Sequence, residues 1–247
     1  MSPITRIDRI EVGVADCAAS GRAWSRFLGL EPVEDSAHAI RFQLFNAALQ
    51  LVDARRDASD SPEAPTPMTL CFAAEPELPS ITESRGVSLS VEVDAAPPAL
   101  SQGQPAAPPD ARVLALDHIV VRSDDLDASK GVYGEQLGLR LALDREFPKR
   151  RVRLVFFRVG GVTVELGGSL VPEAHPGGPD LLWGLAWRVV SIEAAHRRLA
   201  ADGFRIASIR AGHKDGTRVF GVSDPPSRVP TLVLEDPSRG DATRLSA

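Results

Sequence analysis

One order of elements recurs four times in this 247-residue chain, and that recurrence limits the fold more than composition does. It is plainest from Val113 to Gly168. VLALDHIVV alternates as a strand. SDDLDASKGVYGEQLG follows as a helix, with Ser123 or Asp124 placed to cap its start and Gly138 to end it. LRLALD is then a short strand, and VRLVFFRV and VTVELGG are longer ones joined by a turn at Gly160-Gly161. Leu182 to Asp236 repeats the order with GLAWRVV, the amphipathic helix SIEAAHRRLAADG, and the strands FRIASI, TRVFGVSD and TLVLED. Ile4 to Asp53 does the same with IDRIEVGV, DCAASGRAWSRFLG, EPVED, AIRFQLF and AALQLVD. Met68 to Asp94 is abbreviated: MTLCFAAE and VSLSVEV look like its first and last strands, with most of the middle missing.

A strand, a helix and three antiparallel strands form an α+β pattern, βαβββ, and not a parallel βαβ one. A lone module leaves one sheet face uncovered, so modules pair. Two paired modules make a half-open, eight-stranded barrel with a concave face suited to a ligand. The first of two such domains is partly degenerate here. Asp94 to Asp110 reads DAAPPALSQGQPAAPPD, with five prolines and almost no large apolar side chain, which suits an extended linker and not a core. The expected organisation is a degenerate domain over residues 1–94, a linker over 95–111, and a second domain over 112–247 that carries the candidate site. A second proline-rich run, SDSPEAPTP, divides the first half.

A net charge of −5 gives no electrostatic case for nucleic acid or an anionic membrane as a partner. No stretch approaches the apolar length of a membrane-spanning helix, and the N-terminus lacks the apolar core of a signal peptide, so the expected location is cytoplasmic. Cys17 and Cys71 match no metal-ligand spacing and read as buried, reduced thiols. No P-loop, Rossmann glycine fingerprint, nucleophile elbow or zinc-cluster spacing is present.

The run LDHIVVRSDDLDASKGVYGEQLGLRL resembles the first strand and helix of a vicinal-oxygen-chelate domain, the superfamily of glyoxalases, bleomycin resistance proteins and extradiol dioxygenases. VGGVTVELGG is similar to the last strand of the same module, and GLAWRVVSIEAAHRRLAADGF with TRVFGVSDPPSRVPTLVLE resembles the second module. The resemblance covers residues 113–236 and extends more weakly over residues 4–94. It implies one metal ligand on the first strand and one on the last strand of each module. The matching positions are His118, Glu165, Gly184 and Glu235, and Gly184 has no side chain to offer. Strand alternation lets Glu165 and Glu235 point into one cavity. A histidine and two carboxylates suit a divalent metal ion (Mn, Fe, Zn, Ni or Mg) with open positions for water or substrate. In the first half Arg9 stands where His118 does and Gln50 where Glu165 does; Met68 or Thr69 falls at the Gly184 position, and Glu92 matches Glu235. A cationic Arg9 opposes a metal, so this half reads as a metal-free partner.

Arg188, on the face of Gly184, is a candidate to hold a substrate carboxylate. His213, in the polar loop RAGHKDGTR, is a candidate acid–base or substrate-binding group, and Trp187 a candidate wall for an apolar ligand; Trp183 and Phe156 flank the same strands. His196 reads as a helix-surface residue, His175 as weakly placed, and the basic run REFPKRRVR as a hairpin end or a rim that attracts anions. Two functions remain open. One is a metal-dependent enzyme of lyase or isomerase type. It would stabilise an oxyanion of a small oxygenated substrate, with Glu165 or Glu235 as catalytic base. The other is a metal-free protein that binds or sequesters small molecules. A homodimer is compatible with either.

Overall fold

The structure is a computed structural model and describes residues 4–54, 65–75, 83–93, 104–171 and 177–239. His175 and most of the two proline-rich runs lie outside the described residues. The elements in chain order are β1 (Ile4–Val14), α1 (Cys17–Leu28), β2 (Glu34–Asp35), β3 (Ala39–Gln43), β4 (Ala48–Asp53), β5 (Met68–Ala74), β6 (Glu83–Ser84) and β7 (Val87–Val93). The second half follows with β8 (Val113–Arg122), α2 (Leu126–Gly131), β9 (Arg140–Phe147), β10 (Val152–Val159), β11 (Val162–Ser169), β12 (Leu181–Val189), α3 (Ile192–Ala201), β13 (Arg210–Ala211), β14 (Arg218–Val222) and β15 (Thr231–Glu235).

Among the described residues the fold is α+β with two mixed sheets. One has seven strands in the order β2-β3-β4-β1-β5-β7-β6; the other has eight, β13-β14-β15-β12-β8-β11-β10-β9. The abbreviated module explains the shortfall in the first sheet, because only eight residues separate β5 from β6. In each complete module of the second sheet the last strand runs parallel to the first, β11 beside β8 and β15 beside β12. Two details differ from the sequence reading. FRIASI is not a strand; Ile206 makes a single bridge to Val222, and only Arg210–Ala211 pairs regularly with β14. The cap of α2 is Asp125, whose carboxylate accepts from the Ala128 N–H at 3.0 Å. The neighbouring Asp124 is drawn away to the Gly178 N–H at 2.7 Å.

Packing groups the chain into two compact units that each draw on both halves of the sequence. The first comprises residues 1–11, 68–98 and 117–184. Its core follows from strand alternation. Ile119, Val121, Val155, Phe157, Val162, Val164 and Leu166 are fully buried on one sheet face, with Tyr133 and Leu137 from the helical segment over them. Gly168 is required where that segment comes closest: a Cβ there would lie 2.8 Å from the Ser123 carbonyl oxygen and 2.9 Å from Leu126.

The second unit comprises residues 12–67, 99–116 and 185–247. α1 is capped by Asp16, which accepts from Ala19, and ends at Gly29 in the left-handed conformation. Its buried Trp24 and Phe27 meet Trp187 edge-to-face, with ring centroids 5.7 and 6.2 Å from the indole of Trp187. Trp24 Nε1 donates to Ser227 Oγ at 3.0 Å. Arg198 of α3 donates to the carbonyls of Arg26 and Phe27, which fall in the last turn of α1 and have no partner within that helix. Cys17 and Cys71 are buried and free, as the sequence implies, and burial pushes the Cys71 thiol up to about 12. No described helix is long and apolar enough to cross a membrane.

Candidate functional site

The face of the first unit opposite its helical cover carries His118, Val120 and Arg122 from β8, and Thr163, Glu165 and Gly167 from β11. Parallel register sets Thr163 beside His118 and Glu165 beside Val120. β10 adds Leu154 and Phe156 to this face, with Phe156 opposite Glu165. A cavity of about 520 Å³ opens here. Its walls include Val120, Val152, Leu154, Leu181 and Trp183, and its polar groups include Arg122 and Glu165. That volume falls within the range of about 300–1,000 Å³ usual for small-molecule sites.

Asp117 Oδ2 lies 2.9 Å from His118 Nδ1. A carboxylate can only accept, so this contact puts a proton on Nδ1 and turns Nε2 toward Glu165, 3.8 Å from its Oε2. That gap is too long for a hydrogen bond. With a neutral imidazole and an ionised Glu165, two acceptors would face each other, so the pair calls for a proton or a cation between them. Burial pushes the Glu165 carboxyl above its ordinary range, the nearby His118 lowers it in part, and Asp117 raises it further. A carboxyl raised in this way keeps its proton to higher pH than an exposed glutamate does.

The donor set also suits a divalent ion. Metal–nitrogen and metal–oxygen bonds of about 2.1 Å put neighbouring donors about 3.0–3.4 Å apart, roughly 0.4–0.8 Å less than the 3.8 Å gap here. A histidine oriented by a carboxylate on its other nitrogen is the usual outer support of such a ligand. A third ligand is not assembled: among the described residues no three His, Cys, Asp or Glu side chains form a metal-holding group.

The other candidates take different places. Glu235 is held inside the second unit. Its carboxylate accepts from the Ile192 N–H at the start of α3 at 2.8 Å, and from Arg218 Nη2 at 2.9 Å on each oxygen. Both oxygens are engaged, one of them at the N-terminus of α3, where a carboxylate is favourably placed. Trp187 is 1% exposed within the Trp24–Phe27 cluster, whereas Trp183 is 41% exposed and lines the cavity. The two are four residues apart on one strand, so alternation gives them one face; what distinguishes them is the cover that α1 lays over Trp187. Arg188 is buried at 4% exposure within the second unit. His213 lies exposed in the loop between β13 and β14. His196 Nε2 donates to the Ala207 carbonyl, and the ring packs edge-on to Phe220. Arg153 of the basic run is tied to Asp144 and Asp127.

Arg122 is the residue that sequence reasoning passed over. The available signal was its place four residues beyond His118, hence on the same strand face. In the first half, Arg9, the counterpart of His118, pairs with Glu92 through both guanidinium nitrogens and also meets Asp8 and Glu11. The Glu92 contact, chiefly, holds its pKa above the ordinary arginine value. Gln50 accepts weakly from Arg41 at 3.4 Å.

Residues 115–230 match the family model of the Glyoxalase/Bleomycin resistance protein/Dioxygenase superfamily. No curated protein matches the chain. Among solved structures, the Mn(II)-bound glyoxalase from Novosphingobium aromaticivorans aligns over 95% of this chain and 83% of its own, at 18% identity and a TM-score of 0.65. A variant of 4-hydroxymandelate synthase from Streptomyces coelicolor aligns over 94% and 93%, at 15% identity and a TM-score of 0.65. Methylmalonyl-CoA epimerase from Mycobacterium tuberculosis aligns over 52% of this chain and 93% of its own, at 23% identity and a TM-score of 0.43. Residues 115–230 therefore carry a domain that matches the glyoxalase/bleomycin resistance protein/dioxygenase superfamily, also called the vicinal-oxygen-chelate superfamily, and the fold along nearly the whole length is shared with two of these solved structures.

Proposed function

We propose that the protein is a glyoxalase-type enzyme acting on a small oxygenated molecule, with its chemistry at His118 and Glu165. The observation that carries this reading is the facing pair itself, two groups 3.8 Å apart, with a carboxyl raised by burial that also lines a cavity. Glu165 as carboxylate takes a proton from a carbon next to a substrate carbonyl and, as carboxylic acid, returns it. Asp117 keeps the His118 ring turned toward that exchange. A divalent ion, held by His118 and Glu165 with water and substrate completing its shell, would supply Lewis-acid polarisation of the substrate oxygen. Isomerase or lyase chemistry suits this better than ring-cleaving oxygenation, which calls for a second histidine where Gly184 stands. The glyoxalase from Novosphingobium aromaticivorans, which shares this fold, is Mn(II)-bound, in keeping with this. A pure sequestering role would give no use to a buried carboxyl facing a histidine. A cytoplasmic location and a homodimer belong to the same proposal; sedimentation reads the second.

The test is elemental analysis of protein purified without chelator or tag metal, together with thermal shifts on adding Mn²⁺, Fe²⁺, Ni²⁺, Zn²⁺ or Mg²⁺. Bound metal, or a stabilising shift, that is lost in His118→Ala supports the reading. No metal and no shift with any of these ions would sink the metal-dependent form of it.

A further inference from the structure

The cavity carries a charge arrangement that the proposed chemistry does not use. Arg122 lines it and is exposed. Among the described residues no carboxylate bonds to it. Two acids of the same unit, Asp124 and Asp180, lie against another arginine, Arg85. Asp124, also at the cavity wall, accepts from the Gly178 N–H at 2.7 Å and lies 3.7 Å from Arg85. Asp180 is almost fully buried; it receives Arg85 Nε at 3.3 Å and the Ser129 hydroxyl at 2.6 Å. Arg85 comes from the turn between β6 and β7, so the abbreviated module supplies the cation that neutralises these acids. Gly86 makes that approach possible: it has a φ of +89°, and a Cβ on it would collide with Pro179, itself a cavity residue. The result is a cavity with the Arg122 guanidinium, walls of Val120, Val152, Leu154, Leu181 and Trp183, and two carboxyl groups, Glu165 and the Asp124 that Arg85 and Gly178 hold.

We infer that this cavity selects a small carboxylic acid with an apolar or aromatic body, its carboxylate taken by Arg122 and its body by Trp183 and the aliphatic wall. This deepens the enzymatic reading and rests on it for the reaction, but not for the binding. A guanidinium offers a carboxylate two parallel N–H donors, and the apolar wall disfavours a small hydrophilic anion. Gly167 leaves space on the Glu165 side; a Cβ there would touch only Leu154, at 3.5 Å, so a larger side chain would project into the cavity without breaking the strand.

The experiment is calorimetric titration of chelator-treated protein with phenylacetate, its neutral analogue phenylacetamide, and inorganic phosphate. Phenylacetate is expected to bind about ten- to hundredfold more tightly than the amide, the range of a charge-assisted hydrogen bond. Arg122→Gln is expected to erase that preference, Gly167→Val to remove binding of both organic probes, and phosphate to give no saturable heat. Thermal denaturation of both variants confirms that they are folded. Equal binding of acid and amide, retention of the preference in Arg122→Gln, binding of phosphate in place of phenylacetate, or no saturable phenylacetate binding at millimolar concentration would each overturn the proposal. Because metal is absent throughout, failure here leaves the metal test of His118 untouched, and failure of that test leaves this one standing.

Discussion

In the first unit His118 and Glu165 face each other across 3.8 Å beside an open cavity. In the second unit the polar and aromatic candidates are consumed by the fold: Glu235 anchors α3 and Arg218, Trp187 fills an aromatic core, and Arg188 is buried. The two modules share one sequence pattern, so the pattern does not decide which carboxylate remains available. Local partners do. A carboxylate given two good donors becomes structural, and one given a histidine acceptor and a dry wall keeps an unsatisfied demand for a proton or a cation. Arg9 with Glu92 shows a third outcome, in which an internal guanidinium closes the position outright.

The sharpest break of this contrast is Trp187→Ala. It should cost about 3–5 kcal/mol of stability, as for other buried large aromatics, while ligand affinity per folded molecule stays unchanged. Urea denaturation read beside a binding titration checks both halves, and a loss of affinity without loss of stability would return Trp187 to the site. Next in size is His118→Arg, which copies the first half into the second. The new guanidinium should pair with Glu165 as Arg9 does with Glu92, and metal-induced thermal shifts should weaken at least about tenfold in apparent affinity. A retained metal response would show that His118 is not the ligand.

Glu235→Ala should cost about 1–2 kcal/mol through the lost hydrogen bonds to Ile192 and Arg218 and leave the metal response as it was. A loss of metal response there would restore Glu235 to the centre. The smallest effect is on the pH dependence of Glu165→Gln. The folded protein holds the Glu165 carboxyl above its unfolded value, so its favourable contribution is present at low pH and is lost as pH rises through the raised value. The glutamine variant should therefore gain stability over the parent as pH rises above the ordinary carboxylate range, and not below it. Denaturation series across pH measure this; parallel profiles for both proteins would mean that Glu165 titrates like an exposed residue.

Much of this was legible in the chain. The alternation of VRLVFFRV and VTVELGG set the strands and their buried faces, and Gly160-Gly161 set the turn between them. The helices over Cys17–Leu28 and Ile192–Ala201 fall within DCAASGRAWSRFLG and SIEAAHRRLAADG, the segments that the recurring element order assigned to helix. His118 and Glu165 came together because two parallel neighbouring strands put nearby residues of one parity on one face. Other features were not legible. FRIASI has strand-like composition but lacks regular partners, and strand propensity does not act without them. Asp124 looked like a cap until Gly178, more than fifty residues away, offered a better donor.

The sequence by itself determined the modules, their α+β order, the parity of every strand residue, and the absence of a ligating side chain at Gly184. These are properties of period and residue type, which act over a few neighbours. Only the tertiary structure decided which parity is covered and which is open, that Trp183 lines the cavity beside Glu165 while Trp187 packs in an aromatic cluster, that Glu235 accepts from Ile192 and Arg218, and that Arg85 reaches Asp124 and Asp180. Those outcomes depend on partners far apart in the chain, and the strength of a charge or hydrogen bond depends on what surrounds it once water is excluded.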